Sequence, residues 1–427
     1  MKKITYKIYT LGCKVNQYDS SSLENFLDSV GFESGKNIVD LAVINTCAVT
    51  ESAIRKALRT INIAKKENPD AKLILTGCVG ELEKKRNTYL NRYFNDEINI
   101  DLIWGTKDYK KLVLEIKNLF NINNLAKAEF NYKKLVKNNK RSRYTIKIQD
   151  GCEQFCTYCV IPYTRGEISS RKENDIINEI EAVTKEGIDE IVLSGIHLGL
   201  YGKDLHPSEQ AGFPLVNLIK KIIKLSGLGR IRLSSIELNE VTDELLKLIK
   251  TDKVCSHLHI SLQSGCNKIL KLMNRPYTLV ELKNRIKEIR KIIPSVAITT
   301  DVIVGFPGEN DKDFLETYNS VKEINFSRLH VFPFSAHDLT PASKFLNQIP
   351  ENIKKERAKK LRILGYELAQ NYRDKFKGQE LMVIPEQLKN KKYLGKTEYY
   401  FDVWFDQNNL VNKNDKIKIK KLILIKK

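Results

Sequence analysis

The sequence predicts an α/β protein in three parts: an amino-terminal open parallel α/β domain, a central partial (β/α)6 barrel and a small carboxy-terminal antiparallel β-barrel. Three observations carry that prediction. Strand-like and helix-like runs alternate up to about residue 125, they alternate again through six rounds from Tyr144, and after Gly378 helical periodicity gives way to short β-rich runs. The 427 residues, 42% of them hydrophobic, can fill real cores but are too many for one. The expected division is 1–125, a basic linker at 126–143, the barrel at 144–370 and the last barrel at 371–427.

In the first part TYKIYTLG, DLAVINT and KLILTG read as strands, with helical stretches at Ser21 to Val30 and Glu51 to Lys66. Each strand runs into a turn bearing one cysteine: Cys13, Cys47 and Cys78. Parallel strands end on one edge, so these three distant residues can converge there. The segment AKAEFNYKKLVKNNKRSR then loses periodicity and gathers Lys133, Lys134, Lys137, Lys140, Arg141 and Arg143, as a basic linker does.

The central strands are YTIKIQ, EIVLSG, RIRLSS, HLHISL, AITTDVIVG and RLHVFPF, separated by amphipathic stretches near 171–187, 215–226, 239–250, 265–273, 278–293 and 309–324. Eight such units close a full barrel, so six predict an open one whose site lies at the carboxyl ends of the strands. Residues 350–377 form a long charged helix. Beyond it come ELMVIPEQ, KKYLGKTEYYFDVWFD and KIKIKKLILIKK, the last with strict Lys and Ile alternation from Lys416 to Lys420.

Lys and Arg total 72 against 52 Asp and Glu, a formal charge of +20, which excludes an acidic carrier and admits a polyanionic partner. Lysine is abundant throughout the chain, so charge alone does not decide for nucleic acid. No apolar run reaches the roughly 18 residues of a membrane span. MKKITYKIYT alternates instead of entering a hydrophobic block, so a soluble cytoplasmic protein without membrane contact is expected. Eight cysteines are then thiols or metal ligands.

The strongest signal is DGCEQFCTYCVIPYTRG, with three residues between Cys152 and Cys156 and two between Cys156 and Cys159, directly after the first barrel strand. Three clustered thiolates suit iron and sulfide and leave one iron of a [4Fe-4S] cube without a protein ligand. A structural zinc site would want a fourth ligand, and neither a histidine nor another cysteine lies close by in sequence. This spacing resembles that of the radical S-adenosylmethionine superfamily. The resemblance implies that Cys152, Cys156 and Cys159 hold a cube whose open iron binds S-adenosylmethionine, which one electron splits to a 5'-deoxyadenosyl radical.

Other residues at the strand ends admit two readings each. Tyr158 could lie on adenine or fill space. Ser194 and Gly195 could admit the methionyl amino group, or Gly195 could only shape the turn. Gln263 and Ser264 could bind ribose or substrate. Asp301 and Gly305 stand at the catalytic edge, Gly305 to admit adenosine, and Glu309 would equally suit the first turn of the next helix. Arg165 and Arg171 could pair with a carboxylate or phosphate of a ligand or with protein carboxylates. His197, His257 and His259 fit satisfied structural histidines, and Cys255 and Cys266 buried thiols.

The contexts TLGCKVNQYDS, INTCAVTESAIRKA and LTGCVGE closely resemble the amino-terminal domain of the methylthiotransferases, and the likeness spans all three parts. It implies a second [4Fe-4S] cluster held by Cys13, Cys47 and Cys78, making two clusters in all. It also implies two molecules of S-adenosylmethionine, one giving a methyl group and one the radical, an electron donor protein, and a tRNA anticodon loop as substrate. CKVNQY, NTCAVTESA with Thr50, KIQDGC and HLHISLQSG are similar to the bacterial branch acting on threonylcarbamoyl-adenosine. The other branches, acting on isopentenyladenosine in tRNA or on a ribosomal protein aspartate, differ at Lys14, Val15 and Thr50. A metal-containing RNA-binding protein without activity is the alternative of another class. FSAHDLTPASKF departs from the family's usual Arg and Gly pattern at His337, Asp338 and Leu339, which puts the substrate contacts of that loop in doubt. The last barrel resembles the TRAM module, which implies RNA binding through Lys396, Lys413, Lys416, Lys418 and Lys420 with Tyr399, Tyr400 and Trp404 nearby.

Overall fold

A computed structural model describes residues 3–36, 38–86, 89–92, 99–122, 130–131, 142–205, 213–406, 410–413 and 416–419. Lys133, Lys134, Lys137, Lys140, Arg141 and Lys420 lie outside the described residues. The chain forms two compact units that do not follow its linear order. The first gathers Met1–Lys140 with the cysteine-triplet loop Asp150–Ser169 and the short segment Ser335–Thr340; the second holds Arg141–Gln149, Ser170–Phe334 and Pro341–Lys427.

The first unit is built on a parallel sheet of β1 (Thr5–Thr10), β2 (Glu33–Ser34), β3 (Leu41–Thr46), β4 (Lys72–Thr76) and β5 (Leu102–Ile103), in the order β2-β1-β3-β4-β5. Every residue of the central β3 is buried because helices cover both faces. Leu41 and Val43 point to the side packed by Leu23 and Leu27 of α1 (Lys14–Ser29) and Leu112 and Ile116 of α4 (Tyr109–Leu119). Ala42 and Ile44 point to the other, against Ile54 and Ile61 of α2 (Glu51–Glu67) and Val79 and Leu82 of α3 (Gly77–Arg86). Thr50 caps α2 by accepting a hydrogen bond from the Ala53 amide at 3.1 Å. Helix α1 begins one residue after Cys13, well before the expected Ser21, because Val15, Tyr18 and Asn16 are already buried on its inner face.

The second unit contains the six expected parallel strands: β6 (Arg143–Lys147), β7 (Glu190–Ser194), β8 with β9 (Arg230–Leu233 and Ser235–Ile236, broken only at Ser234), β10 (His257–Ile260), β11 (Ala297–Val304) and β12 (Arg328–Pro333). Pairing runs β6-β7-β8 and then β9-β10-β11-β12, all parallel. The long helix predicted over 350–377 is α12 (Glu351–Asp374). Five antiparallel strands follow: β13 (Leu381–Lys389), β14 (Lys392–Thr397), β15 (Asp402–Asp406), β16 (Leu410–Lys413) and β17 (Lys416–Ile419), ordered β15-β14-β13-β17-β16. The run KKYLGKTEYYFDVWFD is thus two strands joined by a turn, with Tyr400 at a left-handed φ of 67°.

That turn is seated on the barrel. Tyr400 stacks on the His257 ring at 4.3 Å, and the Arg232 guanidinium lies 5.4 Å from the Tyr400 centroid. Arg230 donates to the carbonyls of Met382 and Lys396 at 2.9 and 2.8 Å, and Arg232 to that of Thr397 at 2.8 Å. Glu190 holds both arginines at 2.6 and 2.8 Å; burial works against its charge, but Arg232 and Arg230 prevail and hold its carboxyl down at about 2. Lys396 is buried and paired with Asp402 at 2.5 Å, and Tyr399 packs on Phe376 at 4.4 Å. Lys396, Tyr399 and Tyr400 therefore serve the junction between barrel and module, whereas Trp404 remains exposed.

Candidate active site

Cys13, Cys47 and Cys78 stand immediately beyond β1, β3 and β4, three adjacent strands of one sheet. The Leu11 amide donates to the Asn45 carbonyl at 2.9 Å, and a parallel bridge pairs Thr46 with Gly77, which brings the three turns side by side. Gly77 has φ +84°, and a Cβ there would sit 2.4 Å from the Thr46 carbonyl oxygen, so only glycine lets β4 pass directly into α3 beside β3. Cys78 consequently occupies the first turn of a helix instead of the loop its context suggests.

Cys13 is exposed, while Cys47 and Cys78 are buried. Burial pushes the Cys47 thiol up to about 12, and the neighbouring charges of Cys78 and Cys13 add to the shift. Burial also raises Cys78, opposed by Arg165 and by a hydrogen bond from Thr164. Amides of Val49 and Ala48 donate to the sulfurs of Cys47 and Cys78. Without a metal these raised thiols keep their protons; a cationic cluster among them would take them as thiolates, and amide donors aimed at sulfur are what a cluster site uses to set its potential.

The triplet loop belongs to the same compact unit. Cys156 is buried; Cys152, Cys159 and Tyr158 are half-buried. The Cys152 amide donates to the Gly166 carbonyl at 3.0 Å and the Cys159 amide to the Cys156 carbonyl at 2.9 Å, while Phe155 at the loop's tip adopts a left-handed φ of 47°. The loop ends in a short helix, α5 (Ile161–Arg165), which its sequence context did not predict.

Arg165 ends that helix almost wholly buried. Its Nη1 meets both oxygens of Asp150 at 2.9 and 2.8 Å, and its Nη2 donates to Asp19 at 3.1 Å and to the Asn16 side-chain oxygen. Its charge also acts on Cys78 and Cys13. Burial alone would lower the guanidinium, but Asp150 and Asp19 outweigh it and keep it charged. Asn16, Asp19 and Asp150 were missed as functional residues. The only signal for them is that each lies within six residues of a cluster cysteine, Asn16 and Asp19 on the inner face of α1.

In the second unit each residue singled out at a strand end has its own set of neighbours. Ser194 closes β7 and is buried. Beside Gly195 lies Gln149, whose Oε1 accepts the His197 amide at 2.8 Å and would stand 2.9 Å from a Cβ on Gly195. Gln263 has a left-handed φ of 62°, pinned by its amide to the Asp301 carbonyl at 2.9 Å and by the Ile303 amide to its own carbonyl at 2.8 Å. These two bonds hold a non-glycine residue in the left-handed region at a strand end. Ser264 instead bonds Thr317 at 3.2 Å. Gly305, at φ +69°, would bring a Cβ within 2.4 Å of the Lys354 side chain, and its amide donates to Glu309 at 2.9 Å. Glu309 is buried against Arg357 at 2.8 Å and braces this turn, instead of serving the first turn of the helix that starts at Asp311. Burial raises its carboxyl despite the Gly305 amide and Arg357. The Asp301 carboxylate lies between His259 and His330, at 3.3 and 3.2 Å. Arg171 pairs with Glu179 at 2.7 Å and donates to the Lys147 carbonyl, the protein-internal reading of its role.

His337 belongs to the first unit, where it is buried, stacked near Tyr89 and within 3.3 Å of that hydroxyl. Among the described residues no helix is long and apolar enough to cross a membrane.

Residues 146–321 match the family described as "Radical SAM superfamily" and residues 5–98 match "Uncharacterized protein family UPF0004". The chain is 35% identical to a Bacillus subtilis protein named threonylcarbamoyladenosine tRNA methylthiotransferase MtaB, over 98% of this chain and 94% of that protein. It is 36% identical to the Aquifex aeolicus protein of the same name, over 92% and 95%. A Carboxydothermus hydrogenoformans protein named tRNA-2-methylthio-N(6)-dimethylallyladenosine synthase is 34% identical over 98% and 97%. Among solved structures, the radical S-adenosylmethionine methyltransferase TsrM from Kitasatospora setae superposes with a TM-score of 0.58 at 12% identity, covering 80% of this chain and 77% of that one, which shows the shared fold. Relatives this close along nearly the whole length, with a cysteine triplet inside the matched barrel, place the chain in the methylthiotransferase family of radical S-adenosylmethionine enzymes.

Proposed function

We propose that this enzyme installs a methylthio group at C2 of threonylcarbamoyl-adenosine beside the anticodon of tRNA, using two [4Fe-4S] clusters and two molecules of S-adenosylmethionine. The observation that carries the reading is the gathering of both cysteine trios, one from three strand ends and one from a single loop, into one compact unit with Arg165 bonded between their supporting residues. Cys152, Cys156 and Cys159 would hold one cube and Cys13, Cys47 and Cys78 the other. When bound, such cubes supply the electron that splits the sulfonium and an open iron able to hold sulfur.

The chain's own residues do the rest. Arg165 fixes the triplet loop to α1 through Asp19 and Asn16, so the loop keeps one position relative to the strand-end cysteines. Tyr158 would lie on the adenine ring. Ser194, Gly195, Gln263 and Gly305 would frame S-adenosylmethionine, with the strained Gln263 presenting its amide to the ribose. The Asp301 backbone carbonyl holds Gln263 in that pose. The carboxy-terminal module would grip RNA phosphates, and an electron donor protein would dock to reduce the cubes.

The relatives named for threonylcarbamoyladenosine cover 92–98% of the chain at 35–36% identity, while those named for dimethylallyladenosine stand at 32–35%, so substrate choice needs a direct test. Mass spectrometry of tRNA nucleosides from cells lacking the protein provides it. Loss of the methylthio group from threonylcarbamoyl-adenosine is expected; its persistence, with loss from isopentenyladenosine, assigns the other substrate.

A further inference from the structure

Apart from the cysteines, one cluster of metal-ligating side chains stands out among the described residues. His259, Asp301 and His330 come from three adjacent parallel strands, β10, β11 and β12. Asp301 pairs in register with His330, and His259 with Thr299 two residues before Asp301, so alternation turns all of these side chains to one face of the sheet. The opposite face carries Leu329, packed on Gly365 of α12, so the cluster looks into the barrel. The side chains are 12%, 28% and 31% exposed, so the position is sheltered but open on one side.

One ligand atom from each residue lies within 4.8 Å of the other two: His259 Nε2 is 3.3 Å from one Asp301 oxygen and His330 Nδ1 is 3.2 Å from the other, the latter a hydrogen bond that an entering ion would replace. The carboxylate thus sits between two imidazole nitrogens, a donor set that a divalent first-row ion takes. An outer layer is also built: His259 Nδ1 meets the Thr299 hydroxyl at 2.9 Å, and that hydroxyl meets His257 Nε2 at 3.0 Å. A ligating imidazole uses its second nitrogen in this way to fix the direction of the first. The His259 and His330 rings lie stacked at 5.4 Å. A carboxylate flanked by imidazole nitrogens suits a cation and opposes an anion. Two nitrogens and one oxygen with open positions suit manganese, iron or zinc better than calcium or magnesium.

We propose that His259, Asp301 and His330 form a binding site for one divalent first-row metal ion, distinct from the cysteine sites, with Thr299 orienting His259. The inference does not depend on the choice of tRNA substrate. Holoenzyme with both clusters oxidised is titrated anaerobically with Mn2+, and the signal of the free aqueous ion is followed by electron paramagnetic resonance. Retention of one Mn2+ per chain is expected, weakened at least about tenfold by His330→Ala and by Asp301→Asn, and several-fold by Thr299→Val. His330→Gln, read beside the iron and sulfide content, separates a lost ligand from a lost fold. No retention by the wild type at sub-millimolar metal, or equal retention by every variant, meaning an adventitious ion only, overturns the proposal.

Discussion

The two cysteine trios reach their places by opposite routes. Cys13, Cys47 and Cys78 are spread over 66 residues and meet because three strands end on one sheet edge, so their geometry is inherited from the register of a buried sheet. Cys152, Cys156 and Cys159 span eight residues of one loop and depend on local hydrogen bonds and on Arg165. A site made by a sheet is hard to move without unfolding the domain. A site made by a loop can be displaced by losing one brace.

The largest expected effect tests whether the trios divide the chemistry. Cys156→Ala should abolish both formation of 5'-deoxyadenosine and methylthiolation. Cys47→Ala should abolish methylthiolation while deoxyadenosine formation persists, with iron falling from about eight to about four per chain. Loss of both activities in Cys47→Ala at half iron content would show the trios to be functionally inseparable.

Next in size is the brace. Arg165→Ala leaves Asp150 and Asp19 buried without their cation, which costs about 3–5 kcal/mol, read as a drop in denaturant midpoint. Arg165→Lys keeps the charge but loses the two-sided fork, so it should fall between. If Arg165→Ala proves as stable as the wild type, the loop is held by something else.

Glu190 gives the opposite case in the other unit, a buried anion between arginines. Its folded carboxyl lies near 2, below its ordinary 4.5, so its contribution is complete above about pH 4.5 and is lost as pH falls towards 2. The difference is worth roughly 3 kcal/mol at most. Glu190→Gln should flatten the dependence of the denaturant midpoint on pH across that window; an unchanged slope would place the acid sensitivity elsewhere.

The smallest effect concerns Thr50, three residues past Cys47. Thr50→Ala removes the cap of α2 and should cost about 1 kcal/mol in a thermal melt. Should substrate preference shift between the two modified adenosines with stability unaltered, Thr50 would be reading the substrate instead of capping a helix.

Much of this architecture was legible from periodicity. The six barrel strands, the strand-end cysteines and the long helix near 350–377 follow from alternation and turn residues, which are local. What escaped is long-range. Arg165 finds its partners 146 and 149 residues away, and Tyr400 meets His257 from the far end of the chain. His259 reads as a structural histidine and His330 carries no signal of its own until strand order sets them either side of Asp301. The expected RNA-facing role of Lys396, Tyr399 and Tyr400 gives way because a basic or aromatic residue reads the same in sequence whether it faces solvent or a neighbouring domain.

The seating of Tyr400 has a mechanical consequence. A module clamped by Arg230 and Arg232 cannot swing on a tether; it acts as a fixed handle on the barrel. Whatever the module holds keeps one constant offset from the barrel strands that seat it.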